Sequence, residues 1–209
     1  MARKKAPKKR RASDNYPTPH WCIDILAKRL ERSLPRPGVV VDLGAGDGRI
    51  GLGVQRAYKG RPHILFLDLQ RDPKFSPANE AYLEEDVPPW FDRGGPHEQI
   101  NDDERVLYVS NPPFSLSHEF VWRAVSFVKG SHAPGSAAAF LLRADWWIGG
   151  SWTNPERSQW INENPPDAVI GLTPRPSFVG GGTDSREYAW HVWMHGAHHG
   201  TQMEVARRK

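Results

Sequence analysis

Three consecutive valines, Val39-Val40-Val41, run straight into Asp42-Leu43-Gly44-Ala45-Gly46-Asp47-Gly48. No other stretch restricts the available folds so tightly. A short β-branched run bounded by turn residues predicts a strand buried on both faces, the habit of parallel sheets. Gly44, Gly46 and Gly48 let the chain turn sharply and let backbone approach a ligand closely. Arg49 to Tyr58 then predicts a helix, with Gly51 and Gly53 weakening it. A dinucleotide fingerprint requires glycine at position 49, where arginine stands. Asp42 and Asp47 flank the turn, and two carboxylates repel a pyrophosphate but suit a ligand carrying an ammonium and a sulfonium. A tight turn without a ligand requires neither three glycines nor two acids.

Further segments complete this pattern. His63-Ile64-Leu65-Phe66-Leu67-Asp68 predicts a second buried strand ending in an acid, twenty residues after Gly48. A carboxylate there can accept hydrogen bonds from both hydroxyls of a ribose. Tyr82 to Val87 predicts a short third strand. Farther on, the apolar run Val106-Leu107-Tyr108-Val109 leads into Asn111-Pro112-Pro113-Phe114. An amino group on an aromatic ring is a poor nucleophile because its lone pair is delocalised. Two acceptors on its hydrogens draw the nitrogen toward tetrahedral geometry, and the Asn111 side-chain oxygen and Pro112 carbonyl can serve. Two prolines stiffen the loop that carries them. Phe114 offers a flat face for a base. No tuned general base is needed, because the proton can leave after the group arrives; positioning carries the reaction. Upstream, Tyr16-Pro17-Thr18-Pro19 precedes an amphipathic stretch from Ile23 to Leu34, with Thr18 expected as helix cap and Pro19 as the first helical residue.

In this order, the Tyr-Pro-Thr-Pro element, the acidic glycine turn and Asn-Pro-Pro-Phe resemble the S-adenosylmethionine-dependent adenine N6 DNA methyltransferases of the small phage or prophage type. The resemblance covers roughly positions 14 to 194. It implies a Rossmann-like class I α/β fold, a mostly parallel seven-stranded sheet whose last strand is antiparallel and inserted. It implies S-adenosylmethionine as cofactor, held by Tyr16, Pro17, Thr18, Asp42, Gly44, Ala45, Gly46, Asp47, Asp68, Asp86 and Asn111. Asp86 would meet the cofactor adenine, with Glu84 and Glu85 as neighbouring candidates. Asn111, Pro112, Pro113 and Phe114 would be catalytic, acting on a flipped or unpaired adenine of DNA in a restriction-modification or phage setting. Asn-Pro-Pro-Phe also occurs in enzymes that methylate RNA adenines, and close variants modify glutamine, so RNA stays open as the polymer. The Tyr-Pro-Thr-Pro element points away from glutamine. A nucleic-acid-binding protein with a vestigial cofactor fold is the remaining alternative, and the intact Asn111–Phe114 segment speaks against it.

The rest of the chain predicts the remaining strands: Ser136 to Arg143, Ala168 to Leu172 and Glu187 to Trp193. Gly180 to Asp184 is expected as a flexible connection. Before it, Arg175-Pro176-Ser177-Phe178 resembles a segment of phage-type adenine methyltransferases; Arg175 and Phe178 are then target-side residues, or else an edge turn with a packed phenylalanine. Between the fifth strand and the closing pair lies Trp146 to Asp167, with Trp146, Trp147, Trp152 and Trp160 among polar residues. Such a loop can stack on bases, Trp152 foremost, or form a small helix that buries its tryptophans. Gly94 to Arg105 is a polar, acidic loop without readable chemistry.

Charge refines the picture. The net charge is +4, yet seven cations lie between Arg3 and Arg11 and three at positions 207 to 209, which leaves the body at −6. We expect a disordered basic tail over 1–13, one methyltransferase domain over 14–194 and a disordered tail over 195–209. The tails can bind phosphates nonspecifically or, in a eukaryote, act as a nuclear signal. One cysteine, Cys22, excludes an intramolecular disulfide and fits an intracellular, cytoplasmic chain, Cys22 itself packing in a helix face. No run reaches membrane length. His191, His195, His198 and His199 lack a companion set, so no metal is expected.

Overall fold

The computed structural model describes residues 16–68, 81–84, 100–101, 103–148, 155–178, 184–197 and 200–208. Asp86, Trp152, most of the Gly94–Arg105 loop and positions 180–183 lie outside them. Eight strands form one sheet: β1 Val39–Leu43, β2 His63–Asp68, β3 Ala81–Glu84, β4 Val106–Ser110, β5 Ala137–Arg143, β6 Ala168–Thr173, β7 Tyr188–Met194 and β8 Gln202–Arg207. Their order across the sheet is β3-β2-β1-β4-β5-β7-β6-β8. The strands from β3 to β5 are all parallel, whereas β7 inserts antiparallel between β5 and β6. The expected seven-stranded arrangement is present, with one strand added.

That addition corrects the expectation of a disordered tail after Met194. β8 pairs parallel with β6, from Ala168 opposite Gln202 to Thr173 opposite Arg207. Backbone bonds at both ends extend the ladder, Gln202 N–H to Asp167 at 2.9 Å and Arg208 N–H to Thr173 at 2.8 Å. Arg29 of the first helix reaches Glu204 at 2.9 Å and Gln202 at 3.2 Å. β8 is solvent-exposed on nearly every residue, so its alternation of Met203 and Val205 with polar residues marks no buried face; its stability comes from the neighbouring strand.

Among the described residues, four helices cover the sheet: α1 His20–Ser33, α2 Arg49–Ala57, α3 Ser117–Gly130 and α4 Pro155–Glu163. Alternate strand residues feed two cores. Val40, Ile64, Phe66, Leu107 and Val109 pack with α1 and α2 through Cys22, Ile23, Leu26, Leu30, Ile50 and Val54. Val41, Leu65, Leu67 and Tyr108 pack with α3 through Phe120, Val121, Ala124 and Val125. β1 is buried along its whole length, as its valines predict. Cys22 is fully buried on the core face of α1, where its carbonyl accepts from the Trp190 indole N–H at 2.9 Å.

The two helical glycines of α2 have a packing reason. A Cβ on Gly53 would stand 2.4 Å from Ile23 Cγ2, and one on Gly51 3.1 Å from Asp42. They let α2 lie close against β1 at Gly51 and, at Gly53, against α1 at a distance no Cβ permits. Gly53→Ala, which should help an isolated helix by about 1 kcal/mol, is instead expected to cost about 1–3 kcal/mol through overpacking, read as a lower urea midpoint with unchanged slope.

The described part of 146–167 follows the covering-helix alternative. Trp146 is buried, Trp147 and Trp160 pack against the α3-side core, and the Trp193 indole donates to Asn164 O at 3.0 Å. His191 is also buried there, and desolvation pushes its pKa down to about 4, so it is neutral in the fold. Among the described residues, no three His, Cys, Asp or Glu side chains gather as metal ligands would.

Candidate active site

Parallel strands bring their carboxyl ends to one edge, and the chain reverses its order of addition between β1 and β4, where open α/β sheets form their ligand crevice. The three segments singled out in the sequence meet there. The Ser110 hydroxyl donates to Leu43 O at 2.5 Å, joining the end of β4 to the end of β1. After Leu43 the chain turns through Gly44, Gly46 and Gly48, all at positive φ between 54° and 67°. That left-handed backbone is costly for residues with a Cβ, which explains the glycines. Gly44 and Ala45 N–H groups both donate to Leu67 O, and the Gly46 N–H donates to Asp68 Oδ2 at 2.6 Å. Asp68 is thus locked to the turn from the adjacent strand.

The two flanking acids behave differently from the charged pair expected of them. Asp42 is completely buried, and its Oδ2 accepts from Gly51 N–H at 2.8 Å, under the start of α2. Burial raises its pKa to about 8, against the Gly51 bond, which lowers it; Asp68 and Asp47 push it further up. It is therefore largely protonated at neutral pH and acts by positioning α2. Asp47 is ion-paired to Arg49, with Nε at 2.8 and 2.7 Å from its two oxygens and Nη2 in contact as well. Asp68 stands half-buried at the rim of the turn, its Oδ2 held by the Gly46 N–H.

Arg49 is the residue that sequence reasoning noted only as a missing glycine. Besides clamping Asp47, its Nη1 donates to Thr18 O at 3.2 Å, tying the Tyr16–Pro19 segment to the turn. The Asp-x-Arg spacing was the available signal. Arg49→Ala removes both links, and we expect cofactor affinity to fall about tenfold, on the scale of one charge-assisted bond, as measured by calorimetric titration. The Thr18 cap is a correction. Pro19, with extended backbone at ψ 137°, occupies the cap position, and helix α1 starts at His20. Thr18 thus lies one residue too early to reach the first free N–H groups; its buried hydroxyl has no hydrogen-bond partner among the described residues.

Asn111 leaves β4 directly beside this assembly. Its Nδ2 donates to Tyr16 O at 3.0 Å. Since only the amide nitrogen can donate to a carbonyl, this bond also fixes where Oδ1 lies, turned away from Tyr16. In the same loop, Pro113 O accepts from Leu116 N–H at 3.0 Å and Phe114 O from the Ser117 hydroxyl at 3.1 Å. Among the described residues, nothing donates to the Pro112 carbonyl or to Asn111 Oδ1. Two rigidly mounted acceptors therefore stand within two residues of each other. Around them runs a row of rings: Tyr16 and Phe114 at 6.2 Å, Phe114 and Tyr188 at 6.0 Å, Tyr188 and Phe178 at 4.8 Å. Phe178 joins the site by this row but is buried at its far end. Arg175 is exposed and bonds outward, to Ser185 O at 3.5 Å and toward Glu187 at 3.9 Å.

No family model matches the sequence, and no curated protein matches it. Solved structures do match the fold. A Listeria monocytogenes protein assigned as a class I S-adenosylmethionine-dependent methyltransferase superposes with a TM-score of 0.60 at 13% identity, over 96% of this chain and 68% of that one. The methyltransferase subunit of a Streptococcus thermophilus type I restriction-modification system gives 0.56 at 17%, over 88% and 47%. A Pyrococcus horikoshii protein assigned as an RNA methyltransferase gives 0.56 at 15%, over 92% and 94%. The chain spans about half the length of the type I subunit structures it matches. The fold is that of the class I S-adenosylmethionine-dependent methyltransferases.

Proposed function

We propose that this chain transfers a methyl group from S-adenosylmethionine to the N6 amino group of adenine in DNA. The observation that carries the reading is the Asn111 side chain, its amide nitrogen held by Tyr16 O and its oxygen left for a substrate donor, beside the unbonded Pro112 carbonyl. Two acceptors so placed suit the two hydrogens of an aryl amine. They draw its nitrogen toward tetrahedral geometry and stabilise the positive charge that develops there. Phe114 supplies the flat surface for the ring.

The residues fit the cofactor. The glycine turn presents backbone without side chains, and Asp68 is oriented at its rim by Gly46. Tyr16 to Thr18 close over the turn through Arg49 and Asn111. Gly44, Ala45 and Gly46 would line the cofactor, Asp68 would accept from its ribose, and Asp47 would act through Arg49. When bound, S-adenosylmethionine supplies an electrophilic methyl group on a sulfonium. Asp86, Trp152 and Arg175 keep their proposed roles at the cofactor adenine and the target side. Restriction-modification relatives of the fold support DNA as the polymer. RNA is the second reading, favoured by the RNA methyltransferase neighbour whose length this chain nearly matches.

The test is methyl transfer from labelled cofactor to duplex DNA, single-stranded DNA and RNA, followed by digestion to nucleosides. N6-methyldeoxyadenosine is the expected product. The ribonucleoside alone would move the substrate to RNA. No labelled nucleoside, with cofactor bound, would overturn the reading.

A further inference from the structure

Phe114 also borders a cleft of about 270 Å³ whose lining includes neither Asn111 nor Pro112. Phe114, Leu142 and Trp146 form its apolar walls, and Arg143, Asp145 and Arg157 its charged lining. The two aromatic walls are held by one hydroxyl: the Trp146 indole N–H donates to Ser117 Oγ at 3.1 Å, and Ser117 donates to Phe114 O. The Arg157 guanidinium lies 5.3 Å over the Trp146 ring, a planar cation extending a planar aromatic. Arg143 is fixed by Asp145 at 2.6 and 3.1 Å. Leu116, next to Ser117, and Ile148, two residues past Trp146, are 40% and 66% exposed. They are two of the five large apolar side chains left exposed among the described residues, and both adjoin the cleft in sequence.

We infer that this cleft is a second nucleobase subsite, which takes the nucleotide adjacent to the target adenine in the same strand. It rests on the adenine reading above. The Arg157 guanidinium, seated on the ring of the buried Trp146, offers a flat cationic surface on which any base can stack, and it can also meet the phosphate between the two nucleotides. Holding two successive bases out of a helix favours unpaired or looped substrate over an intact duplex.

The test uses the full chain and single-stranded DNA oligonucleotides with one adenine, whose 5′ or 3′ neighbour is either intact or abasic. Removing one of these neighbours is expected to raise KM about fivefold or more with kcat retained, the lower end of a base-stacking contribution. Arg157→Ala should raise KM on the intact strand similarly, and the abasic strand should then carry little further penalty, since both changes remove one interaction. Equal KM for intact and abasic strands on both sides, with methyl transfer proceeding, would overturn the subsite and leave the adenine reading standing. A full abasic penalty persisting in Arg157→Ala would remove Arg157 from it. Absence of transfer to any strand, with cofactor bound, would overturn the adenine reading and the subsite together.

Discussion

Asn111→Ala is expected to lower methyl transfer by about a hundredfold or more, the scale of one lost preorganised hydrogen-bond partner in a transition state. Cofactor affinity should change by less than about tenfold. The asymmetry follows from the two ends of the amide. In the proposed reaction its oxygen would accept from the substrate amine, and its loss would act where charge develops. Its nitrogen donates to Tyr16 O at 3.0 Å, and losing one neutral bond costs about 0.5–1.5 kcal/mol. Single-turnover rates and calorimetric titration separate the two. A cofactor site lost outright, with chemistry intact at saturation, would make Asn111 a cofactor residue.

Asp42→Asn should change how stability depends on pH. The folded carboxyl titrates near 8 because it is buried, against 3.8 for the ordinary group. Between those values the folded state holds a proton that the unfolded state has released. Stability from this group is therefore greatest at low pH and falls as pH rises through the window, by about 1.4 kcal/mol per unit. His191 works in the opposite direction. Its folded pKa of about 4 lies below the ordinary 6.5, so between those values the unfolded state binds more protons, and stability is lost as pH falls. The two oppose each other below pH 6.5, and above it only Asp42 of the pair acts. Urea denaturation of the wild type between pH 6.5 and 8 should show a loss of about 2 kcal/mol, and Asp42→Asn should flatten it while keeping an oxygen for the Gly51 N–H. An unchanged slope in the variant would show that Asp42 is ionised in the fold.

Much of the architecture was legible without coordinates, for a physical reason. Buried parallel strands must be apolar on both faces, so β1, β2 and β4 announce themselves as uninterrupted runs, and a turn at positive φ needs glycine. The order of the Tyr16, Gly44 and Asn111 segments placed all three at one sheet edge, because parallel strands share a direction. What the sequence could not show is what each polar group meets. Asp42 and Asp47 read alike on the page, two acids beside glycines. Burial makes one a largely neutral anchor for α2, and Arg49 neutralises the other. Thr18 has the composition of a cap, but the extended backbone of Pro19 starts the helix one residue later.

The same division runs through the periphery. β8 alternates Met203 and Val205 with polar residues but exposes nearly all of them, so hydrophobic pattern does not mark it; the open edge of β6 makes it a strand. Trp146 and Trp147 suit base stacking equally well until α3 and β7 are in place, after which they are core. Sequence alone determined the buried parallel strands and the glycine turn, because each depends on local backbone rules. Tertiary structure alone decided which acids carry charge, where the chain's last strand lies and that a second cleft opens beside Phe114. Those depend on burial and on partners far apart in the chain.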